Sequence, residues 1–127
     1  MIVGEAKRRA LQWVMEEGSK LPGFQGAYFA GSVTWLPADV ELPATSDVDL
    51  FVTLDGSAPP EKVGKFVYRD VLLEVSFTTF EQLGSAEQIL ANHQIAGAFR
   101  TPNIITDPSG RLTELQTAVS RGYAKRE

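Results

Sequence analysis

Two aspartates, Asp47 and Asp49, stand two residues apart at the head of an apolar run, Val48-Asp49-Leu50-Phe51-Val52-Thr53-Leu54. On a strand, residues i and i+2 leave the same face, so the two carboxylates can converge on one cation. The spacing suits Mg²⁺, a hard ion that takes carboxylate oxygen. Without a cation two like charges this close repel, and the plain alternative is a solvated pair at a loop edge. Glu74 interrupts Val71-Leu72-Leu73-Glu74-Val75-Ser76-Phe77, where both of its immediate neighbours are apolar. Burying an unpaired carboxylate costs several kcal/mol. Glu74 points with Leu72 and Ser76, so it shares the groove of the aspartates if the strands are adjacent, and otherwise is an edge-strand glutamate facing water. Gly31-Ser32 offers a third element of chemistry. Glycine permits close backbone approach, and the following amides with a hydroxyl can hold phosphate oxygens; Gly-Ser also makes an ordinary turn.

These residues need a sheet to bring them together, and the hydrophobic pattern supplies its strands. Gly26 to Ala30 reads as a buried strand ending at the Gly31-Ser32 turn, and residues 47–54 as a second, with Val48, Leu50, Val52 and Leu54 on its apolar face. Residues 63–68 and 71–78 form a predicted antiparallel hairpin joined at Arg69-Asp70, and Asn103 to Thr106 a small edge strand. A helix over residues 5–18 buries Ala6, Ala10, Trp13 and Val14 on one stripe. Residues 37–46, with Pro37 and Pro43, read as an irregular loop. Two capping boxes, Thr79 with Gln82 and Ser85 with Gln88, predict a turn and then one helix over about residues 86–97. Asp107-Pro108 supplies a cap and a first-turn proline for a last helix, on which Leu112, Leu115, Val119 and Tyr123 make the apolar stripe.

Composition narrows the chemistry. The 127 residues carry 12 Lys+Arg against 16 Asp+Glu, a net charge of −4, which argues against nucleic acid as a partner held by phosphate neutralisation. There is no cysteine, so disulfides, thiolate metal sites and thiol nucleophiles are excluded. His93 is the single histidine, which removes every two-histidine metal motif and leaves a Ser-His-Asp triad only if that residue serves it. On the helix after the sheet it reads as a surface or half-buried residue rather than a catalyst. No apolar run approaches the roughly 18 residues of a membrane helix, and an amphipathic N-terminus unlike a signal peptide points to a cytoplasmic protein. Trp13 belongs to the core stripe. Trp35, in the loop beside Gly31-Ser32, is read as packing in preference to stacking on a base or acceptor ring.

The ordered set of an apolar strand, Gly31-Ser32, a gap, Asp47-Val48-Asp49 and a later Glu74 resembles the nucleotidyltransferase superfamily, most of all its minimal and antibiotic-modifying branch. Tyr28-Phe29-Ala30-Gly31-Ser32 and Ser46-Asp47-Val48-Asp49-Leu50-Phe51-Val52 carry the likeness. Asp107-Pro108-Ser109-Gly110, followed by Leu112 and Leu115, is similar to the segment after the catalytic sheet, so the likeness runs from about residue 5 to residue 123. The resemblance implies an α/β (α+β) domain over residues 1–127, a mixed sheet flanked by helices. It implies two Mg²⁺ ions held by Asp47 and Asp49, Glu74 completing the triad as metal ligand and base, and the nucleoside triphosphate seated on Gly31-Ser32. The implied reaction moves a nucleoside monophosphate, AMP from ATP first, onto a hydroxyl of an aminoglycoside-like or a protein acceptor. The competing readings are an antitoxin-like binding protein of this fold that neutralises a partner by contact, against which the intact carboxylates argue, and an unrelated α/β domain with surface acids.

Three features depart from the family pattern. Fourteen residues separate Ser32 from Asp47, more than in the compact form of the family. Val33-Thr34-Trp35-Leu36 lacks the basic residue that minimal relatives often carry after Gly-Ser. Lys62, Lys65 and Arg69 are therefore the candidates to neutralise phosphate, with plain solvation as their alternative. Antibiotic-modifying relatives usually also carry a following helical domain, so either a second copy or a helical partner supplies the missing wall, or this is a minimal protein working on a macromolecule, or the chain is a fragment.

Overall fold

The computed structural model describes residues 1–56 and 64–126. In chain order these form α1 (Val3–Glu16), β1 (Phe24–Ala30), β2 (Val48–Leu54), β3 (Gly64–Tyr68), β4 (Val71–Thr78), α2 (Phe80–Leu83), α3 (Ala86–Leu90), α4 (His93–Phe99), β5 (Ile104–Thr106) and α5 (Arg111–Arg126), with 3₁₀ turns at Gly18–Lys20 and Gly31–Thr34. The strands make one five-stranded sheet in the order β3-β4-β2-β1-β5. β1 pairs antiparallel with β2 and β5, and β3 antiparallel with β4, while β2 and β4 run parallel. The expected mixed sheet flanked by helices is what the chain forms.

Alternation along the strands divides the sheet into two faces. Val48, Leu50 and Val52 of β2, with Val71, Leu73 and Val75 of β4, bury against Val3, Ala6, Ala10, Trp13 and Val14 of α1. The opposite face carries Tyr28 and Phe51, stacked at 5.3 Å, and the helical layer above them holds Phe80, Leu83, Ile89, Phe99, Leu112 and Val119. Asp47, Asp49 and Glu74 have the parity of this second face, so any opening in its helical cover exposes them rather than the α1 core.

Three local expectations are corrected. α1 begins at Val3, not residue 5, because the amides of Val3 and Gly4 donate to the carbonyls of Val40 and Ala38, at 2.8 Å each. The 37–46 loop thus closes the first turn of α1 from outside, which compensates for the absence of a side-chain cap there. The helix expected over 86–97 is two helices. The Ser85–Gln88 capping box starts α3 as expected, but α3 ends at Leu90, and the Asn92 carbonyl accepts from the Ala96 amide at 2.8 Å and opens α4. Thr79 caps α2 by accepting from the Gln82 amide. Pro108 lies in a turn before α5 rather than in its first turn, while Asp107 caps the helix by accepting from the amides of Leu112 and Thr113, at 3.2 and 2.8 Å. Among the described residues no helix is long and apolar enough to cross a membrane.

Candidate carboxylate site and its surroundings

The register of the parallel pair places Asp49 directly beside Glu74, and Asp47 precedes Asp49 by one pleat. One oxygen from each of the three carboxylates lies within 4.8 Å of the others. On the far side of Asp49, Ala30 is its partner across β1, so the Gly31 turn begins where the carboxylates converge. Gly31 has φ +66°, and a methyl group on its α-carbon would run into the Asp49 carboxylate. The glycine is therefore required twice, for its left-handed backbone and for its lack of a side chain. Gly31→Ala is expected to cost about 1–2 kcal/mol of stability from the backbone alone, and to displace Asp49. Thermal unfolding and Mn²⁺ binding check it; an unchanged melting temperature and affinity would refute the role.

The electrostatics follow from this crowding. Burial, then a hydrogen bond with Glu74 and the negative charges of Asp47 and Glu74, push the Asp49 carboxyl from the ordinary aspartate range up to about 7. Its Oδ1 is buried and accepts no hydrogen bond. A proton relieves the repulsion when nothing else does. An oxygen-only donor set with an unpartnered buried oxygen fits a hard divalent cation, so the three residues could hold one.

Lys65 enters the site from β3. It stands directly opposite Glu74, and its Nζ lies 3.1 Å from Asp47 Oδ2. The hydrogen bond and charge of Asp47, then the charge of Glu74, hold its ammonium above the ordinary lysine value. The two other cationic candidates fare differently. Arg69 is taken by α1, donating to Gln12 Oε1 at 2.8 Å and pairing with Glu16 at 3.1 Å, on the opposite side of the sheet from the carboxylates. Lys62 lies outside the described residues.

Trp35 corrects another expectation. Its amide donates to the Ser32 carbonyl at 3.2 Å, which fixes the backbone of the turn, yet its side chain is 71% exposed rather than packed. Trp13, by contrast, is buried in the core against Phe66. His93 is exposed at the start of α4. From sequence Lys65 is assigned to phosphate and not to the carboxylates, although the sequence carries a signal for the second tie. A two-residue turn at Arg69-Asp70 pairs Tyr68 with Val71, and counting three positions away from the turn brings Lys65 opposite Glu74. Both turn residues have positive φ, 46° and 67°, as that hairpin geometry demands.

No protein-family model matches the chain, and no curated protein does. Among solved structures, a nucleotidyltransferase-like protein from Exiguobacterium sibiricum 255-15 superposes with a TM-score of 0.59 at 18% sequence identity. The match covers 92% of this chain and 38% of that one, so this chain spans well under half the length of its structural neighbour. The fold of the chain is thus nucleotidyltransferase-like.

Proposed function

We propose that the protein is a Mg²⁺-dependent nucleotidyltransferase that moves a nucleoside monophosphate, AMP from ATP in the first instance, onto a hydroxyl of an acceptor. One observation carries the reading: Asp49 and Glu74 are neighbours in register on parallel strands, with Asp47 beside them and the Gly31 turn closed against Asp49. A fold kept only for binding has no use for three converging acids, which without a cation bring repulsion.

In this reading Asp47, Asp49 and Glu74 hold two Mg²⁺ ions. Bound there, the ions neutralise phosphate charge and lower the pKa of the acceptor hydroxyl. The Gly31-Ser32 turn presents backbone amides and the Ser32 hydroxyl to phosphate oxygens. Glu74 accepts the proton of the acceptor hydroxyl, whose oxygen attacks the α-phosphorus. The bond from that phosphorus to the bridging oxygen of the β-phosphate breaks, and pyrophosphate leaves with the electron pair. Catalysis is chiefly positioning and charge neutralisation. The acceptor is either a small polyol-amine of the aminoglycoside kind or a protein hydroxyl, with a second copy or a helical partner forming the wall that faces it.

Calorimetric titration with a non-hydrolysable ATP analogue tests the proposal. The wild-type protein is expected to bind it with Mg²⁺ and far more weakly in EDTA. An Asp47→Asn, Asp49→Asn double variant, folded by circular dichroism, is expected to lose the Mg²⁺-dependent part. Equal binding by the two proteins would overturn the assignment.

A further inference from the structure

We propose that Lys65 is a resident counter-ion of the carboxylate site, one that yields Asp47 to an incoming divalent cation and turns to the phosphates of the nucleotide. The inference rests on the nucleotidyl-transfer reading and adds to it an order of events, in which the metal and the lysine compete until nucleotide arrives and cooperate afterwards.

The starting arrangement is an ion pair. Lys65 Nζ lies 3.1 Å from Asp47 Oδ2, and the lysine is paired directly opposite Glu74 across β3 and β4, so backbone register fixes the root of its side chain beside the cluster. A single ammonium brings one positive charge to three converging carboxylates and so leaves the cluster short of cation. It pairs with Asp47, and Asp49 retains a buried, unpartnered oxygen. A divalent cation reaching the same oxygens brings twice the charge and can bridge several of them. It cannot share Asp47 Oδ2 with an ammonium at hydrogen-bond distance without strong repulsion. In the proposal the cation takes Asp47 Oδ2 and the lysine lets go.

Letting go is easy here because the Lys65 side chain is 58% exposed while that of Asp47 is 20% exposed. An ion pair with one end in water is weak, and a four-carbon stem can move its head several ångströms while its root stays in the strand. The displaced ammonium remains tethered next to the cation site, where the phosphates of a bound nucleotide would bring it new acceptor oxygens. The chain has no basic residue in Val33-Thr34-Trp35-Leu36 after the Gly31-Ser32 turn, and Arg69 is held by α1, so Lys65 fills a need that these segments leave open.

The prediction is two effects of opposite sign from one substitution. In the 127-residue chain without nucleotide, Lys65→Met should bind Mn²⁺ about fivefold more tightly than wild type, because a competing cation is gone. At saturating Mg²⁺ the same variant should bind inorganic tripolyphosphate at least about tenfold more weakly, because a charged phosphate contact is gone. Lys65→Arg should return both values toward wild type. Free Mn²⁺ is read by electron paramagnetic resonance and tripolyphosphate by calorimetry, with circular dichroism confirming the fold. Weakening of both ligands would make Lys65 a structural residue, and no change in either would make it a bystander; each result overturns the proposal. Asp49→Asn serves as the control that separates the two levels of inference. If wild type and Asp49→Asn bind Mn²⁺ alike, the carboxylate site itself is misassigned and the role of Lys65 falls with it.

Discussion

Asp49→Asn should lower the affinity for the Mg²⁺-dependent ATP analogue by about 100-fold or more, and slow transfer of labelled nucleotide to any acceptor by about 1,000-fold or more. The expectation falls on Asp49 rather than Asp47 or Glu74 because of its central place. It touches both other acids, it closes against Gly31, and it holds the buried oxygen without a partner. Asparagine keeps the shape and removes the charge, so the Gly31 turn retains the contact that its missing side chain makes room for. The new amide can donate to Glu74 or Asp47, so the fold has no reason to fail. A variant that binds the analogue as wild type does would show that Asp49 is a neutral packing residue, and the catalytic reading would not survive it.

Much of this site was open to view in the chain itself, for reasons that differ residue by residue. The strand of Asp47 and Asp49 and the strand of Glu74 are legible because alternation is local, and Val71-Leu72-Leu73-Glu74-Val75-Ser76-Phe77-Thr78 forms β4 with the bounds the pattern gives. That these strands lie side by side and parallel is not local. It depends on β3 folding back so that β4 inserts between β3 and β2, a choice made by packing both apolar faces at once. The break at Asn92 is faint in the sequence because residues 86–97 contain no proline and their only glycine, Gly97, lies well past it, which leaves Asn92, a residue type favoured at helix ends, as the mark of the break. Trp35 departs from the habit of indoles to fill space, because it follows the Ser32 turn and stands exposed. The start of α1 is not legible locally because its capping carbonyls come from residues 38 and 40, far along the chain.

The same carboxyl should also make metal-free stability fall as pH rises, the opposite of ordinary acid denaturation. Asp49 is raised to about 7 in the folded protein and titrates near about 4 when unfolded. Below the unfolded value both states carry the proton and the group is neutral toward folding. Between the two values the unfolded chain ionises while the folded one keeps its proton, so stability is lost steadily until pH passes 7, where the loss is complete. A shift of this size corresponds to about 4 kcal/mol at face value, and solvent screening of a half-exposed group brings it to about 2 kcal/mol, or roughly 5–10 °C in melting temperature. Other groups titrate in the same range, so the decisive quantity is the difference between wild type and Asp49→Asn. In EDTA the variant should gain on wild type from pH 4 to pH 7.5 and hold its lead above that. Mg²⁺ should close the gap from the other side, stabilising wild type more at pH 8 than at pH 5, because cation and proton compete for the same carboxylate. Parallel melting curves for the two proteins, with and without Mg²⁺, would mean that Asp49 is ionised and solvated throughout. The crowding that makes the three acids a cation site would then be absent, since burial and the neighbouring acids, which together raise the Asp49 carboxyl, are what a cation would offset.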